Sequence, residues 1–378
     1  MVWSFPNIES VTEVTIMSNV NMDRLVSTFC ELIKIPSESN NEQEFLSYLE
    51  QRFTKNYKAI TTRDKFGNLI AKIPAKNSSS KDTIGFACHG DTVKPGIGIK
   101  TVIENNIIKS NGETILAADD KAGIAEILEM LATAEKHPPL EVIITRCEEL
   151  GCLGSINMDY SLVDSKMAFI LDMSDIKEIV VGGPTMITMD VHFKGKSSHA
   201  AMAPEKGISS IHAAAKAMAQ LKLGKLDEET TANIGVIHGG EIRNGIPEHT
   251  SLMAECRSLN NEKAEKTADN MVAAFKQGAK EVGAEVTIDR KTLFKAYLLP
   301  EDSNVIKIAK NAFTKYGVTA KTSVIRAATD ATQFISHGIP AVAIGIGGRG
   351  AHSCQEYAII DEMTTVAKTI KDIVESLA

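Results

Sequence analysis

Two adjacent carboxylates follow an apolar run in the stretch LEVIITRCEELGCLGS, residues 140–155. Leu140 to Thr145 has the composition of a buried strand, and Glu148 and Glu149 come shortly after it. A glutamate pair of this kind is more often an ordinary solvated turn than a site. Because neighbouring side chains of a strand point to opposite faces, the two carboxylates can converge only if the chain leaves the strand at EELG. Their chemistry therefore depends on what other segments bring to them.

The segments IGFACHGDTV and ILAADDKAG also place histidine and aspartate beside apolar runs, which is where open α/β sheets carry their sites. His89 is followed two residues later by Asp91, whose carboxylate can orient the imidazole and leave its other nitrogen for a metal. Asp119 and Asp120 stand at a predicted helix start, where carboxylates also serve as caps. Each pair alone has a structural explanation.

Two further segments add to this set. Asp172 ends the apolar run of FILDMSD, and His352 lies far downstream in GRGAHSCQE. Together the segments supply two histidines and several carboxylates, a hard-to-borderline donor set that suits Zn²⁺, Mn²⁺ or Co²⁺. The combination, rather than any one residue, indicates a metal site.

The motifs HGDTV, ADDKAG, CEELG, LDM and AH, in this order and at these intervals, resemble those of the M20 metallopeptidases, and most closely the peptidase T-like branch. The resemblance covers nearly all of the chain after its first 21 residues. It implies two divalent metal ions per subunit, Zn²⁺ first with Co²⁺ or Mn²⁺ as alternatives, bridged by Asp119. His89 and Asp172 would complete one ion site, and Glu149 and His352 the other.

The resemblance also implies roles for residues that bind no metal. Glu148 would be the general base that takes a proton from the attacking water and hands it to the leaving amine. Asp91 joins this catalytic set through its contact with His89. His199, in FKGKSSHAAMAPEKG, would polarise the scissile carbonyl or stabilise the oxyanion, usually from the partner subunit. A non-proline cis peptide after Asp119 is implied as well.

Three residues are candidates for binding the substrate. The stretch GGEIRNGIPEHTSLMAECRS resembles a family segment that ends in a substrate-binding arginine, here Arg257, with Asn244 nearby. Arg326, in IRAATDA, matches a position that grips a substrate carboxylate, which suits the planar fork of arginine. Either arginine could instead be an ordinary salt-bridge partner. Asp172, where other branches carry Glu, resembles the aminopeptidase members, whereas Cys147 departs from the usual Asp before the catalytic glutamate.

Strand and helix patterns must position these residues. Short apolar runs near residues 69–73, 83–88 and 142–145 are separated by a helical stretch, Ala122 to Glu135, which indicates a layered α/β domain. After VVGGPT the pattern changes to alternating strands and helices of an α+β insert. With the resemblance, the sequence predicts an N-terminal extension (1–20), a zinc-peptidase catalytic domain (21–183 and 297–378) and a ferredoxin-like lid or dimerisation domain (184–296).

The composition narrows the function classes. With 43% hydrophobic and 24% charged residues, the chain is ordinarily globular, and it contains no apolar run of about 18 residues that would span a membrane. The formal charge of −7 is not concentrated in a block, which argues against nucleic-acid binding. The six cysteines form no C-x-x-C pair and the first 20 residues carry no Lys or Arg. We expect a cytoplasmic homodimer, assembled through residues 184–296, that acts on short peptides.

Other function classes remain open. GIGGRG, residues 345–350, formally matches a dinucleotide-binding fingerprint, but no periodic helix follows it directly. A metal-binding or peptide-binding module without turnover is a second class, although the presence of Glu148 favours an enzyme. The main alternative is an M20-type amidohydrolase or carboxypeptidase that acts on N-acyl amino acids or C-terminal residues.

Overall fold

The computed structural model describes residues 19–378. All but the last two residues of the predicted N-terminal extension, 1–20, lie outside the described residues. None of the helices between residues 19 and 378 has the length and apolar character that a bilayer span requires.

The α-helices are distributed over the whole described chain. They are α1 (Met22–Leu32), α2 (Gln43–Tyr57), α3 (Ala118–Thr133), α4 (Leu153–Ile156), α5 (Ser210–Ala219), α6 (Asn261–Val282), α7 (Asn304–Lys315), α8 (Ala331–Ser336) and α9 (Ile360–Ser376).

The strands lie between these helices, singly or in runs of several. They are β1 (Ile60–Arg63), β2 (Leu69–Ile73), β3 (Ile84–His89), β4 (Thr101–Glu104), β5 (Ile107–Ser110), β6 (Leu140–Thr145), β7 (Met167–Met173), β8 (Glu178–Gly183), β9 (Thr185–Lys194), β10 (Ser198–His199), β11 (Gly224–Lys225), β12 (Thr230–Gly239), β13 (Gly245–Ile246), β14 (His249–Ser258), β15 (Glu285–Phe294), β16 (Tyr297–Leu298), β17 (Lys321–Val324), β18 (Ala341–Gly345), β19 (Gly348–Arg349) and β20 (Tyr357–Ile359).

The described chain divides into two compact units. The larger comprises residues 19–179, 304–321 and 343–378, and the smaller comprises 180–303 and 322–342. The chain therefore leaves the larger unit twice and returns to it each time, and residues 322–342 lie in the smaller unit, whereas the sequence predicts a single insert, 184–296.

Within the larger unit, the strands of the main sheet follow the order β1-β2-β6-β3-β7-β18. Its central strand β3 runs parallel to β6 and β7, and both β3 and β6 are buried along their whole length, as expected for parallel strands covered on both faces. Phe86 stacks on Phe169 with ring centroids 5.6 Å apart. Because the three strands are parallel, their carboxyl ends lie at one edge.

A second, antiparallel sheet of the larger unit has the order β19-β20-β5-β4. Two of its strands have only two or three residues, too few for a detectable hydrophobic period, and the sequence did not predict this sheet. The loop between β19 and β20 carries His352.

The smaller unit contains a five-stranded antiparallel sheet in the order β11-β12-β14-β9-β15. Side chains of β9 alternate between buried and more exposed, and Ile187, Met189, Val191 and Phe193 form one core with residues of α5 and α6. The two helices pack closely because Gly278 lacks a side chain: a Cβ there would lie 2.6 Å from the Cβ of Ala217. This is the predicted α+β arrangement.

The helix predicted to begin at Ala122 begins at Ala118 instead. Asp119 and Asp120 have non-helical φ and ψ angles within it. The apolar periodicity begins only after this irregular turn, which is why the sequence placed the start later.

Candidate metal centre

Parallel strands deliver acidic and histidine residues to one edge of the main sheet. His89 is the last residue of β3, and Asp172 lies one residue before the end of β7. Glu148 and Glu149 follow β6 and open a 3₁₀ turn, Glu148–Leu150. Side chains at the carboxyl ends of adjacent parallel strands share one crevice. The topology thus explains why distant motifs meet.

Asp119 lies at the middle of this crevice, with one carboxylate oxygen towards each histidine. Its Oδ1 is 2.9 Å from Nε2 of His89, and its Oδ2 is 3.4 Å from Nε2 of His352. Asp172 Oδ1 lies 3.6 Å from Nε2 of His89, and Glu149 Oε2 lies 2.8 Å from Nε2 of His352. Asp119 is therefore common to two groups of three residues.

In each group, His89–Asp119–Asp172 and Asp119–Glu149–His352, the potential ligand atoms lie within 4.8 Å of one another. Nitrogen and oxygen ligands that surround one Zn²⁺ at about 2.0–2.2 Å must come within roughly 4 Å of each other. The two groups therefore have the composition and spacing of a pair of divalent-cation sites that share one carboxylate.

The charges of the centre also fit cations. Hydrogen bonds with Asp119 and Glu149 raise the pKa of His352 to about 10. Burial lowers the pKa of His89, but hydrogen bonds, led by that with Asp119, outweigh burial and hold this pKa well above its usual value. Burial raises the pKa of Asp119, yet its hydrogen bonds with the two histidines bring it below its usual value. A divalent cation can supply the positive charge that these carboxylates favour while the imidazoles stay neutral.

Asp91 is fully buried and connects the glutamate turn to the His89 segment. Its main-chain carbonyl, at 2.9 Å from Nδ1 of His89, is closer to the imidazole than its carboxylate Oδ1, at 3.6 Å. The carboxylate accepts hydrogen bonds from the N–H groups of Glu148 (2.8 Å) and Glu149 (3.3 Å) and from the Ser39 hydroxyl (2.7 Å). The sequence predicts that the carboxylate orients His89, but its hydrogen bonds are with Ser39 and the glutamate turn, and its contact with the imidazole is longer.

Glu148 belongs to neither of the two groups that share Asp119. Its Oε1 accepts a hydrogen bond from the thiol of Cys152 at 3.1 Å. The chain leaves the strand direction at Cys147, which has a left-handed φ of 51°, so Glu148 and Glu149 no longer alternate between opposite faces. Burial raises the pKa of the Cys147 thiol to about 11, which disfavours a cysteine nucleophile there.

Asp120 also lies outside both groups. Its Oδ2 accepts a hydrogen bond from the main-chain N–H of His89 at 3.1 Å, and its side chain is fully buried. The peptide bond between Asp119 and Asp120 is cis, as the resemblance implies. The neighbouring Lys121 is buried and donates to the main-chain oxygen of Ile35 at 2.6 Å, which ties the start of α3 to the segment after α1.

No motif in the sequence indicates a role for two buried glutamates near the centre, Glu356 and Glu42. Glu356 accepts hydrogen bonds from three main-chain N–H groups, including that of Asp119. Glu42 accepts hydrogen bonds from the Arg146 side chain at 2.8 Å and from the N–H of Cys147 at 3.2 Å. The only sequence signal for Glu356 is an acid four residues after His352, which does not reveal a contact with a segment so far away along the chain.

His199 and Asn244 line a cavity of about 920 Å³ in the smaller unit. Nδ1 of His199 accepts hydrogen bonds from the N–H groups of Ala201 and Met202, both at 3.2 Å. In a neutral imidazole an accepting Nδ1 leaves the proton on Nε2. The side chain is exposed, so His199 presents a hydrogen-bond donor.

The two candidate substrate arginines differ in their surroundings. The guanidinium of Arg257 pairs with the carboxylate of Glu255 through contacts of 2.9 and 3.1 Å, which is the salt-bridge alternative considered above. Arg326 is exposed and donates to the main-chain carbonyl of Glu228. A carbonyl does not neutralise the guanidinium, so Arg326 is the better placed of the two to pair with a carboxylate.

Models of two peptidase families match parts of the chain. The peptidase dimerisation domain of the M20 type matches residues 182–283. Peptidase family M28 matches residues 68–225.

The chain is similar to solved aminopeptidase structures over nearly its whole length. Aminopeptidase PepT from Bacillus cereus is 36% identical, with a TM-score of 0.83, covering 95% of this chain and 99% of that one. A tripeptidase from Staphylococcus aureus is 31% identical, with a TM-score of 0.87 and the same coverage. Peptidase T from Geobacillus thermodenitrificans is 26% identical over 404 residues, covering 93% of this chain and 97% of the relative.

Proposed function

This chain belongs to the M20 metallopeptidase family, in its peptidase T-like branch, and we propose that it is a di-metal aminopeptidase acting on tripeptides or other short peptides. One observation supports the proposal most strongly: Asp119 directs one carboxylate oxygen to each of two ligand groups. A carboxylate between two cations offsets their mutual repulsion, which is what a two-ion hydrolytic centre requires.

The ligands proposed for the two ions are His89 and Asp172 on one side, Glu149 and His352 on the other, and Asp119 between them. Imidazole and carboxylate donors suit Zn²⁺, with Co²⁺ or Mn²⁺ as alternatives. Bound there, such ions would lower the pKa of a water molecule and polarise the scissile carbonyl.

The protein's own residues carry the proton transfers. Glu148 accepts the proton of the attacking water and returns it to the amine that leaves. The main-chain N–H of Glu148 donates a hydrogen bond to the Asp91 carboxylate at 2.8 Å, so Asp91 positions this base. In the family pattern this histidine usually comes from the partner subunit, and we propose that His199 donates from Nε2 to the substrate carbonyl in this way and stabilises the oxyanion that forms there.

The substrate is bound through its terminal carboxylate. Arg326 is proposed to pair with the carboxylate of a short peptide, with Asn244 and Arg257 as further contacts. A grip on the terminal carboxylate favours short peptides, because in a tripeptide this carboxylate is never far along the chain from the N-terminal peptide bond. This supports a tripeptide or another short peptide over a long chain.

The domain assignment follows the same family pattern. By this pattern we propose residues 21–183 and 297–378 as the catalytic domain and residues 184–296 as the lid and dimerisation domain. The match to a peptidase dimerisation domain over residues 182–283 supports the second range, although residues 322–342 pack with the smaller unit. We propose a homodimer assembled through this domain in the cytoplasm, with no nucleic-acid or membrane partner.

A substrate panel tests the proposal. Free-amine tripeptides, free-amine dipeptides and N-acetyl amino acids are incubated with the enzyme and Zn²⁺, Co²⁺ or Mn²⁺, beside a Glu148→Gln variant. Release of the N-terminal residue from tripeptides, lost in the variant, is the expected result. Preferential cleavage of N-acetyl amino acids would instead establish the amidohydrolase alternative.

A further inference from the structure

We infer that Glu356 is a positioning residue for the two-ion centre: its buried carboxylate holds Asp119 where it reaches both ligand groups. The inference rests on the proposed function, because it concerns how the bridging carboxylate is kept in place.

The carboxylate of Glu356 accepts three main-chain hydrogen bonds. Oε2 of Glu356 accepts from the N–H groups of Leu116 and Ala117, both at 2.8 Å, and Oε1 accepts from the N–H of Asp119 at 2.9 Å. The residue is 2% exposed, so water does not compete for these bonds.

The backbone is shaped to make this convergence possible. Ala117 has a left-handed φ of 64°, a conformation in which successive N–H groups point into one concavity that binds an anion. Here the anion is a side chain of the protein itself. Without it, these three N–H groups would lack this acceptor, and the residues before Asp119 would have no common anchor.

Glu356 also joins the two segments that supply the ligands. It lies four residues after His352 in the loop between β19 and β20, and its N–H donates to the carbonyl of Ser353 at 3.1 Å. The hydroxyl of Ser353 in turn donates to the carbonyl of Gly350 at 2.8 Å, so the loop around His352 is compact. A displacement of Glu356 is thus expected to change the separation of Asp119 and His352.

The test is a metal titration of a Glu356→Gln variant. Glutamine keeps the shape, but its amide nitrogen donates and cannot accept an N–H, so at least one of the three bonds is lost. Loss of a supporting hydrogen bond behind a ligand typically weakens metal binding about 10- to 100-fold. We expect that loss in the affinity for Zn²⁺, measured by competition with a chelator, and partial recovery of kcat at high Zn²⁺ with little change in KM.

Glu141 offers a matched control in the same unit. It is fully buried and its carboxylate accepts the N–H groups of Asp164 and Ser165, both at 2.9 Å. A Glu141→Gln variant should lower the melting temperature while leaving Zn²⁺ affinity unchanged. The inference is overturned if Glu356→Gln binds Zn²⁺ as tightly as the wild type, or if Glu141→Gln weakens binding equally.

A second variant covers a failure to fold. If Glu356→Gln yields no folded protein, Glu356→Asp keeps the charge but withdraws the carboxylate from the N–H groups, and its Zn²⁺ affinity should also fall. Unchanged affinity in this variant also overturns the inference. A wild-type enzyme that neither bound Zn²⁺ nor cleaved peptides would refute the proposed function instead, so the two failures are distinguishable.

Discussion

Glu149 and His352 meet at 2.8 Å, Oε2 to Nε2, although they come from different sheets of the larger unit. Glu149 follows β6 of the main sheet. His352 lies in the loop between β19 and β20, in the second, four-stranded antiparallel sheet of the same unit. Binding a cation between them requires both sheets to be folded. Metal binding should therefore stabilise this unit as a whole.

Metal removal tests this coupling. Ions that bind only the folded state stabilise it by about 2.7 kcal/mol when their concentration is 100 times Kd. We expect a chelator to abolish activity and lower the melting temperature, and Zn²⁺, Co²⁺ or Mn²⁺ to restore both, as followed by calorimetry. An Asp119→Ala variant serves as the control and should show no shift. Equal melting temperatures of the wild type with and without metal would contradict the two-ion assignment.

Replacing Asp119 and replacing Asp172 should leave the protein with different numbers of bound ions. Asp119 is common to both ligand groups, whereas Asp172 belongs to one of them. We expect Asp119→Asn to weaken both sites by more than the roughly 100-fold that loss of an outer partner costs, and Asp172→Asn to weaken one. Metal content by mass spectrometry after dialysis measures this. Loss of the same number of ions in both variants would argue against a bridging role.

Glu148 should affect turnover without affecting metal content. A general base typically contributes about 10²- to 10⁴-fold, so Glu148→Gln should lower kcat by that factor with KM and bound metal nearly unchanged. Glu149→Gln is the matched comparison, since it alters the neighbouring residue and should lose metal. Wild-type turnover in Glu148→Gln would mean that another group is the base.

His199 should act on kcat more than on KM. Removing one donor to a developing oxyanion costs about 10²- to 10³-fold in kcat, and we expect this for His199→Ala. His238 lines the same cavity and provides a control, because its replacement by alanine should change kcat little. Steady-state kinetics on a tripeptide separates the two, and equal effects would indicate a general disturbance of the cavity.

Arg326 should determine affinity for the peptide carboxylate. We expect Arg326→Ala to raise KM for free tripeptides but not for their C-terminal amides, because only the free acid pairs with the guanidinium. Arg290, whose Nη1 lies 2.7 Å from the carboxylate of Asp269, is a control arginine of the same unit. An identical rise in KM for acid and amide would remove Arg326 from substrate binding.

The α/β pattern and its interruption were readable from the sequence because hydrophobic periodicity is a local property of each segment. Strands such as β3 and β6 are long, apolar runs, so their existence follows from composition. The short strands β19 and β20 lack any period, and the irregular turn at Asp119 and Asp120 conceals the start of α3. These elements are stabilised by contacts with segments far away in the chain.

The sequence by itself determined which residue types are present to do chemistry, because each motif places its histidine or carboxylate next to a strand or helix end. The resemblance to a family pattern already implied which of them share an ion, but only the tertiary structure decided the contacts that hold them in place. In the folded chain the Asp91 carboxylate contacts the glutamate turn, Asp120 accepts a hydrogen bond from the N–H of His89, and Glu356 accepts one from the start of α3. A hydrogen bond between segments more than two hundred residues apart leaves no local pattern, since its two halves are brought together only by the packing of the whole unit.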